Sequence, residues 1–176
     1  MKAVLQKSFG TADTLYLGEQ STPIPGPGQV LVRVITTSVN RPDIIQREGN
    51  YPPPKGDSEV LGLEVAGIID EVGEGVDEWT PGDRAMGRVG GGAYAECAVA
   101  WSSHLMPVPT TMSWAEAACV CETYITAHLN LFQFPGIENG QSILLHGGGG
   151  GVNTAAIQLC QALVPKSPPY VTASEH

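Results

Sequence analysis

Apolar positions in the first hundred residues occur in short runs that turn signals separate. Four of these runs have the length of strands, at residues 30–34, 65–72, 84–89 and 93–100. A proline- and glycine-rich turn at 23–28 precedes the first run, in which valines alternate with other residues. Short strands with frequent turns predict a β-sandwich or a partly open β-barrel.

One short helix is expected between the first two strands. Pro42 suits the first turn of a helix, and Gly49 suits its C-terminal cap. Ile44 and Ile45 are then expected to face the interior.

The pattern changes near residue 110, where helical signals replace strand signals. Ser113 and Glu116 have the spacing of a capping box, which predicts an Ala-rich helix to Cys119 and a second helix through Leu131. A continuous apolar run at 142–146 then has the length of a strand buried on both faces.

Five consecutive glycines, residues 147–151, follow that run. The apolar residues beyond them have the spacing of one helix face, at positions 152, 155, 156, 159, 160 and 163. Pro165 ends this helix, and residues 170–173 form a second strand candidate. The result is one βαβ unit with a glycine-rich turn at the helix N-terminus.

A glycine-rich turn in this context predicts a phosphate-binding loop. The backbone can approach a pyrophosphate closely, and the helix N-terminus offers free N–H groups and partial positive charge. The alternative is a flexible turn in any α/β unit. Asn153 occupies the position where glycine would allow close helix–strand packing. A single βαβ unit is also expected to leave apolar surface exposed.

Composition narrows the class of protein. The chain has 176 residues, of which 42% are apolar, which is enough to bury a core. Its net charge is −9, so the basic surface of a nucleic-acid-binding protein or of a polybasic membrane contact is not expected. The sequence shows neither a transmembrane run nor a signal peptide, which predicts a cytoplasmic protein.

The cysteines add little chemistry. Four are present, at positions 97, 119, 121 and 160, and no two have the C-x-x-C spacing. We interpret them as four small buried residues in a reducing compartment.

Ordered motifs along nearly the whole chain resemble one known family. They are NRPD at 40–43, QREGNYPPP at 46–54, LGLEVAG at 61–67, VGEGV at 72–76, PGDRA at 81–85, TA at 126–127 and the stretch 146–159. These motifs resemble the medium-chain dehydrogenase/reductase superfamily. Within it they are most similar to zinc-independent quinone oxidoreductases of the p53-inducible type.

The resemblance implies a fold and a division of the chain. Residues 1–118 would form a GroES-like catalytic domain, a partly open β-barrel, and residues 119–176 an incomplete Rossmann domain. Members of this family continue for about one further domain, so a C-terminally truncated reductase is expected. The cofactor implied is NADPH, the partner is a quinone or another electron-poor small molecule, and the full-length family implies a homodimer.

The resemblance also argues against a metal. Zinc-dependent relatives place ligands where this chain has Asn40, Leu63 and Glu122. An amide, an alkyl group and one carboxylate cannot form the three-ligand catalytic zinc site. The implied reaction is therefore hydride transfer without a Lewis acid.

Catalytic roles are expected for Asn40, Tyr51 and Asp43. Asn40 could donate hydrogen bonds near the nicotinamide or the substrate oxygen, or simply cap the helix before Pro42. Tyr51 offers an aromatic face and a hydroxyl to a quinone, or packs against the neighbouring prolines. Asp43 lies in the first helical turn, which favours a structural role.

Cofactor contacts are expected from Asn40, Thr126, Gly148, Gly150, Gly151 and Val152. Thr126 could alternatively be buried within a helix. His128 and His146 are interpreted as packing residues. Glu175 follows the second strand, where a carboxylate could bind a ribose diol and favour NADH.

Three functions follow from these expectations. The first is an NADPH-dependent quinone oxidoreductase. The second is an enoyl thioester reductase of the same superfamily, and the third is a non-catalytic form that cannot bind the cofactor productively.

Overall fold

The structure, a computed structural model, describes residues 1–172. The chain divides into two compact units, Met1–Cys119 and the residues from Val120 onward. Glu175, for which a ribose contact was considered, lies outside the described residues, as does Ala173 at the end of the predicted last strand.

Antiparallel strands make up most of the first unit. One sheet pairs β1 (Lys2–Gln6) with β2 (Leu15–Glu19). A five-stranded sheet has the order β6-β3-β4-β5-β7. Its strands are β3 (Gln29–Thr36), β4 (Glu64–Val72), β5 (Arg84–Arg88), β6 (Cys97–Trp101) and β7 (Leu105–Pro107). Strands β3 to β5 confirm three of the predicted runs, and β6 confirms the second half of the run at 93–100. Strands β1, β2 and β7 were not predicted.

Side chains from the five-stranded sheet and from its connecting loops form the core of this unit. Val30, Val32 and Val65 are fully buried, with Ile69 and Trp79 packed beside them. A Cβ atom on Gly67 would lie 2.2 Å from the carbonyl oxygen of Arg33. Glycine at this position therefore allows β3 and β4 to approach each other in a closely packed sheet.

Helix α1 (Arg41–Arg47) forms where Pro42 predicted it, and Gly49 follows its C-terminal end at φ +87°. The expected inward side was right only in part, because Asp43 and Gln46 are buried while Ile44 and Ile45 are half-buried. Hydrogen bonds to the Asp43 carboxylate offset the cost of burying it.

The first unit ends at the predicted capping box. Helix α2 (Trp114–Ala117) begins after Ser113, whose Oγ accepts from the Glu116 N–H at 3.3 Å. The Glu116 carboxylate accepts from the Ser113 N–H at 2.8 Å. Both halves of the capping box are therefore formed.

A parallel βαβ arrangement forms the second unit, as predicted. It contains α3 (Cys121–His128), a π-helical turn (Leu129–Gln133), β8 (Ile143–His146), α4 (Gly151–Leu163) and β9 (Pro169–Thr172). Strands β8 and β9 pair in parallel.

Burial of β8 on both faces was a wrong expectation. Ile143 and Leu145 are buried in the core that α3 and α4 cover, but Leu144 is 59% exposed. Tyr170 and Val171 of β9 are also exposed. The expectation that a single βαβ unit leaves apolar surface exposed is thus confirmed for the described residues.

Burial along α4 matches its predicted apolar face in part. Ala155, Ala156 and Cys160 are buried, whereas Val152 and Leu163 at its two ends are exposed. The central turns of the helix therefore provide its packing.

Two interpretations of single residue types need correction. All four cysteines are free thiols, but Cys119 is exposed and Cys97 only half-buried. His128 and His146 are also exposed, because they lie on the uncovered sides of α3 and β8. His128 does contact a neighbouring ring, that of Phe132, with the ring centres 5.4 Å apart.

Candidate functional site

A hydrogen-bonded group of three side chains, which we call the Asn40 cluster, lies between β3 and β4. It consists of Ser38, Asn40 and Glu64. The Asn40 Nδ2 atom donates to Ser38 Oγ and to Glu64 Oε1, each at 2.8 Å. Ser38 Oγ also donates to Glu64 Oε1. The Asn40 amide therefore has both of its N–H groups directed at protein acceptors.

Strand pairing places Glu64 in this cluster. Glu64 begins β4 and is 1% exposed, and its main-chain carbonyl accepts from Thr37 Oγ1 at 2.7 Å. A carboxylate this deeply buried is costly unless it is hydrogen-bonded. The loop that follows β3 supplies the donors. Glu64 belongs to the LGLEVAG motif but was assigned no role there, since nothing local marks a strand glutamate as buried.

Asn40 is also the N-cap of α1, with an extended backbone at φ −109°. Its main-chain N–H donates to Asp43 Oδ2 at 2.7 Å. Asn40 therefore holds the N-cap position considered from the sequence, although its side chain makes no hydrogen bond that caps the helix. The expected donation to a ligand differs from the observed geometry, because Ser38 and Glu64 already accept from the side-chain N–H groups.

Asp43 is 2% exposed and faces the protein interior. The Tyr94 hydroxyl donates to the same Oδ2 atom at 3.0 Å. Burial raises the pKa of Asp43 above its usual range, although the bonds from Asn40 and Tyr94 act in the opposite direction. Burial, followed by the negative charge of Asp43, raises the pKa of the Tyr94 phenol. Tyr94 was not among the predicted site residues, and it lies 51 positions from its partner.

Tyr51 lies on a separate cleft of the first unit. The cleft has a volume of about 670 Å³, and its aromatic lining residues are Phe9, Tyr16 and Tyr51. Tyr51 is 43% exposed. Pro52 and Pro53 line the same cleft, so the tyrosine is placed both to meet a ligand and to pack beside the prolines. Neither Asn40 nor Asp43 lines this cleft.

The glycine loop of the second unit is held against β9. The Gly147 N–H donates to Thr172 Oγ1 and the Gly148 N–H to the Thr172 carbonyl oxygen, each at 3.2 Å. Gly147 has φ +75°, which favours glycine. A Cβ atom on Gly148 would lie 2.0 Å from Val171 Cγ1. Gly147 therefore allows the turn, and Gly148 allows the loop to pass close to β9.

Asn153, at the position where glycine was expected, has a specific role in this loop. Its Nδ2 atom donates to the Gly147 carbonyl oxygen at 2.9 Å and also to the His146 carbonyl oxygen. The side chain therefore binds two carbonyls that enter the loop. Asn153 takes part in the loop structure and does not merely fill space.

The N-terminus of α4 has the properties of an anion site. Gly150 is the N-cap with no side-chain hydrogen bond to the helix. The first-turn N–H groups of Gly151 and Val152 have no acceptor within an α-helix, and the helix dipole adds partial positive charge. Phosphate is the ligand that such an end favours. The predicted residues Gly148, Gly150, Gly151 and Val152 are thus brought together here.

Thr126 lies in the middle of α3, the helix that packs beside α4. Its hydroxyl donates to the Glu122 carbonyl oxygen at 2.6 Å, one turn back along the helix. The residue is half-buried. Its hydroxyl oxygen can still accept a hydrogen bond.

The residues considered for zinc differ in environment. Leu63 is buried and offers an alkyl group, and Asn40 belongs to the cluster described above. Among residues 1–172, no group of three or more His, Cys, Asp or Glu side chains is arranged to hold a metal ion. None of the helices described there is long and apolar enough to cross a membrane.

Comparison with known proteins shows what this chain is similar to. The sequence model of the alcohol dehydrogenase GroES-like domain matches residues 26–110. The mouse protein named synaptic vesicle membrane protein VAT-1 homolog-like is 34% identical over 174 residues. That match covers 99% of this chain and 42% of the mouse protein. A Lama guanicoe quinone oxidoreductase is 35% identical, over 92% of this chain and 50% of its own length. The chain thus spans half or less of these relatives.

Solved structures agree with the whole described fold. The human VAT-1 homolog-like protein superposes with a TM-score of 0.91 at 35% identity, over 99% of this chain and 56% of its own. A mycobacterial protein complexed with NADPH gives 0.89 at 31% identity, over 99% and 53%. The JamJ enoyl reductase gives 0.88 at 27% identity, over 98% and 54%.

A GroES-like β unit and a strand–glycine loop–helix unit are the parts expected of a dehydrogenase or reductase. The chain is similar to members of the medium-chain dehydrogenase/reductase superfamily.

Proposed function

We propose that this chain provides the substrate-binding domain and the phosphate-binding loop of a zinc-independent, NADPH-dependent quinone oxidoreductase. The observation that carries the proposal is the N-terminus of α4, which follows a parallel strand and a glycine loop and has no side-chain cap. It has the features that a dinucleotide pyrophosphate requires.

The residues of the loop fit this cofactor. A Cβ atom added to Gly149 would meet no atom within 4 Å, and one added to Gly150 would lie 3.7 Å from its nearest neighbour, so the loop has open space beside it. Gly151 and Val152 would hold the phosphates through main-chain N–H groups, Gly150 would let the backbone approach them closely, and Thr126 would contact the cofactor from α3. Bound NADPH supplies a hydride for the reaction.

The substrate proposed is a quinone, which would lie against Tyr51. The cleft of about 670 Å³ offers aromatic and proline surfaces suited to a planar ring. The Tyr51 hydroxyl could donate to a substrate oxygen that gains negative charge. The relative named quinone oxidoreductase supports this substrate class.

An enoyl thioester reductase is the second candidate, favoured by the similarity to the JamJ enoyl reductase. Both reactions deliver hydride to an electron-poor conjugated system. The two functions share the cofactor loop and differ in the acceptor.

Finer assignments belong to the same proposal. We propose that the protein belongs to the p53-inducible type of quinone oxidoreductases, that it is cytoplasmic, and that the full-length protein is a homodimer, as the resemblance implies. NADPH is preferred to NADH on the resemblance and on the NADPH-bound structural neighbour.

A charge substitution at the loop tests the cofactor site. Val152 is exposed in the first turn of α4, where a carboxylate interacts favourably with the helix dipole. Val152→Asp should therefore preserve the fold but repel a phosphate, weakening NADPH binding about tenfold or more. Val152→Asn is the neutral control of the same shape and should weaken it much less.

Calorimetry of NADPH binding and turnover with matched acceptors give the readouts. We expect saturable binding and faster oxidation of NADPH with a quinone than with an enoyl thioester. The reverse preference would favour the enoyl reductase. Absence of saturable binding at millimolar NADPH would support the non-catalytic form and refute the proposal.

A further inference from the structure

Hydrogen-bond capacity in the Asn40 cluster determines which end of the Asn40 amide a ligand can meet. A carboxylate only accepts hydrogen bonds, and a serine hydroxyl has one hydrogen to donate. Ser38 donates that hydrogen to Glu64 and can only accept from Asn40. Turning the amide over would place Asn40 Oδ1 against two acceptors. The cluster therefore allows only one orientation of the amide, with the NH₂ group inward.

The N-terminus of α1 is compatible with this orientation. Asn40 is the N-cap of α1, but its side chain makes no hydrogen bond that caps the helix. The Asp43 N–H donates instead to the main-chain carbonyl oxygen of Asn40 at 3.1 Å. With the NH₂ group turned inward, the side-chain carbonyl oxygen is the end of the amide that a donor can meet.

Exposure distinguishes Glu64 from the other two members of the cluster. Glu64 is buried, whereas Ser38 and Asn40 are half-buried. A ligand can therefore approach Asn40 but does not reach Glu64. The buried carboxylate acts on a ligand only through the orientation of the amide.

We propose that Glu64 and Ser38 are positioning residues that lock the Asn40 amide, so that Asn40 meets a ligand as a hydrogen-bond acceptor. The complementary ligand group is an O–H or N–H donor. Resting on the proposed function, the donors that fit are a ribose hydroxyl and a carboxamide NH₂, both of which the reduced dinucleotide carries. This reverses the donor role that the sequence suggested for Asn40.

Glu64→Gln is the most direct perturbation of the lock. The introduced amide has nearly the same shape as the carboxylate but can itself donate to Asn40, so the Asn40 amide is free to turn. Glu71→Gln on the same strand is the matched control, because Glu71 is exposed. Ser38→Ala removes one partner and leaves the carboxylate in place, which keeps the test valid if Glu64→Gln fails to fold.

Proton exchange of the Asn40 side-chain NH₂, followed by NMR on asparagine-labelled protein, reports the lock without any ligand. We expect slow exchange in the wild-type chain and exchange about tenfold faster in Glu64→Gln, a factor equivalent to about 1.4 kcal/mol. Ser38→Ala should also accelerate it, and Glu71→Gln should not. Wild-type exchange as fast as in a free asparagine, or exchange unaffected by both cluster variants, would overturn the proposal.

Calorimetry with the cofactor tests the acceptor role. Glu64→Gln should weaken NADPH binding several-fold, and Glu71→Gln should leave it unchanged. The acetylpyridine analogue of the reduced cofactor lacks the carboxamide N–H. If Glu64→Gln weakens binding of the analogue as much as it weakens binding of NADPH, the donor is a ribose hydroxyl. If Glu64→Gln weakens binding of NADPH but not of the analogue, the donor is the carboxamide.

The two proposals fail in different ways. Equal NADPH affinity of Glu64→Gln and the wild-type chain would refute the acceptor role. Absence of NADPH binding by the wild-type chain would refute the proposed function and the acceptor role together. The exchange measurement would still decide whether Glu64 and Ser38 lock the amide.

Discussion

Tyr94→Phe isolates the hydrogen bond that supports the buried end of α1. The substitution removes one oxygen, whose hydrogen is donated to Asp43 Oδ2 at 3.0 Å. The ring remains and continues to pack. Asp43 is 2% exposed and would keep the main-chain N–H of Asn40, at 2.7 Å, as a donor to the same oxygen.

The expected cost follows from the charge and burial of the acceptor. A hydrogen bond to a charged group contributes about 1.5–3 kcal/mol, and a buried acceptor that loses its donor is not resolvated. We expect Tyr94→Phe to lower the free energy of unfolding of the first unit by about 2 kcal/mol. It should also raise the pKa of Asp43 further, because a bond that favours the charged form is lost.

Urea unfolding followed by tryptophan fluorescence measures this cost. All three tryptophans, Trp79, Trp101 and Trp114, belong to the first unit, so the signal reports on that unit. A double-mutant cycle with Asp43→Asn separates the charged hydrogen bond from other effects of the tyrosine. A loss below about 0.5 kcal/mol, as for an ordinary surface substitution, would refute the reasoning.

Three further predictions concern the loop and the buried acid. Asn153→Asp should loosen the glycine loop more than Asn153→Ala, because a carboxylate repels the carbonyl oxygens that Asn153 now binds. Amide hydrogen exchange of residues 147–151 measures this, and the reverse order would show that the helix dipole dominates. Gly148→Ala should destabilise the β8–β9 pair by about 1–3 kcal/mol, since the added Cβ atom would meet Val171. Gly149→Ala is the control and should not destabilise the pair, because open space surrounds that position. Equal destabilisation by the two variants would contradict the close approach of Gly148 to Val171. The pKa of Asp43 in the folded state lies above its ordinary value of 3.8, so folding favours the protonated carboxyl. The stability that this protonated form contributes is lost as pH rises from 3.8 through the folded-state pKa. The stability of Asp43→Asn relative to wild type should therefore increase over that pH window in urea titrations, and a difference independent of pH would contradict the shift.

Local signals along the sequence predicted the elements that local chemistry determines. The capping box depends only on Ser113 and Glu116, three residues apart, and the glycine loop before α4 is marked by its own five glycines; both are present. The valine run of β3 was equally visible.

Features that depend on distant partners were not predicted. Glu64 has the appearance of a solvent-facing acid at the start of a strand, and its burial depends on donors from the loop before α1. The inward side of α1 was predicted only in part, because Asp43 is buried more deeply than Ile44 once Tyr94 and Asn40 donate to one oxygen of its carboxylate. Burial of β8 depends on which elements cover each face, which its own four residues do not encode.

Main-chain amide shifts of residues 147–153 during an NADPH titration test the central claim most directly. We expect saturable shifts at Gly149, Gly151 and Val152, where free N–H groups meet the phosphates, and smaller shifts in the exposed strand β2. Saturation with no change in the loop, or no saturation at millimolar NADPH, would contradict the assignment of this loop as the cofactor site.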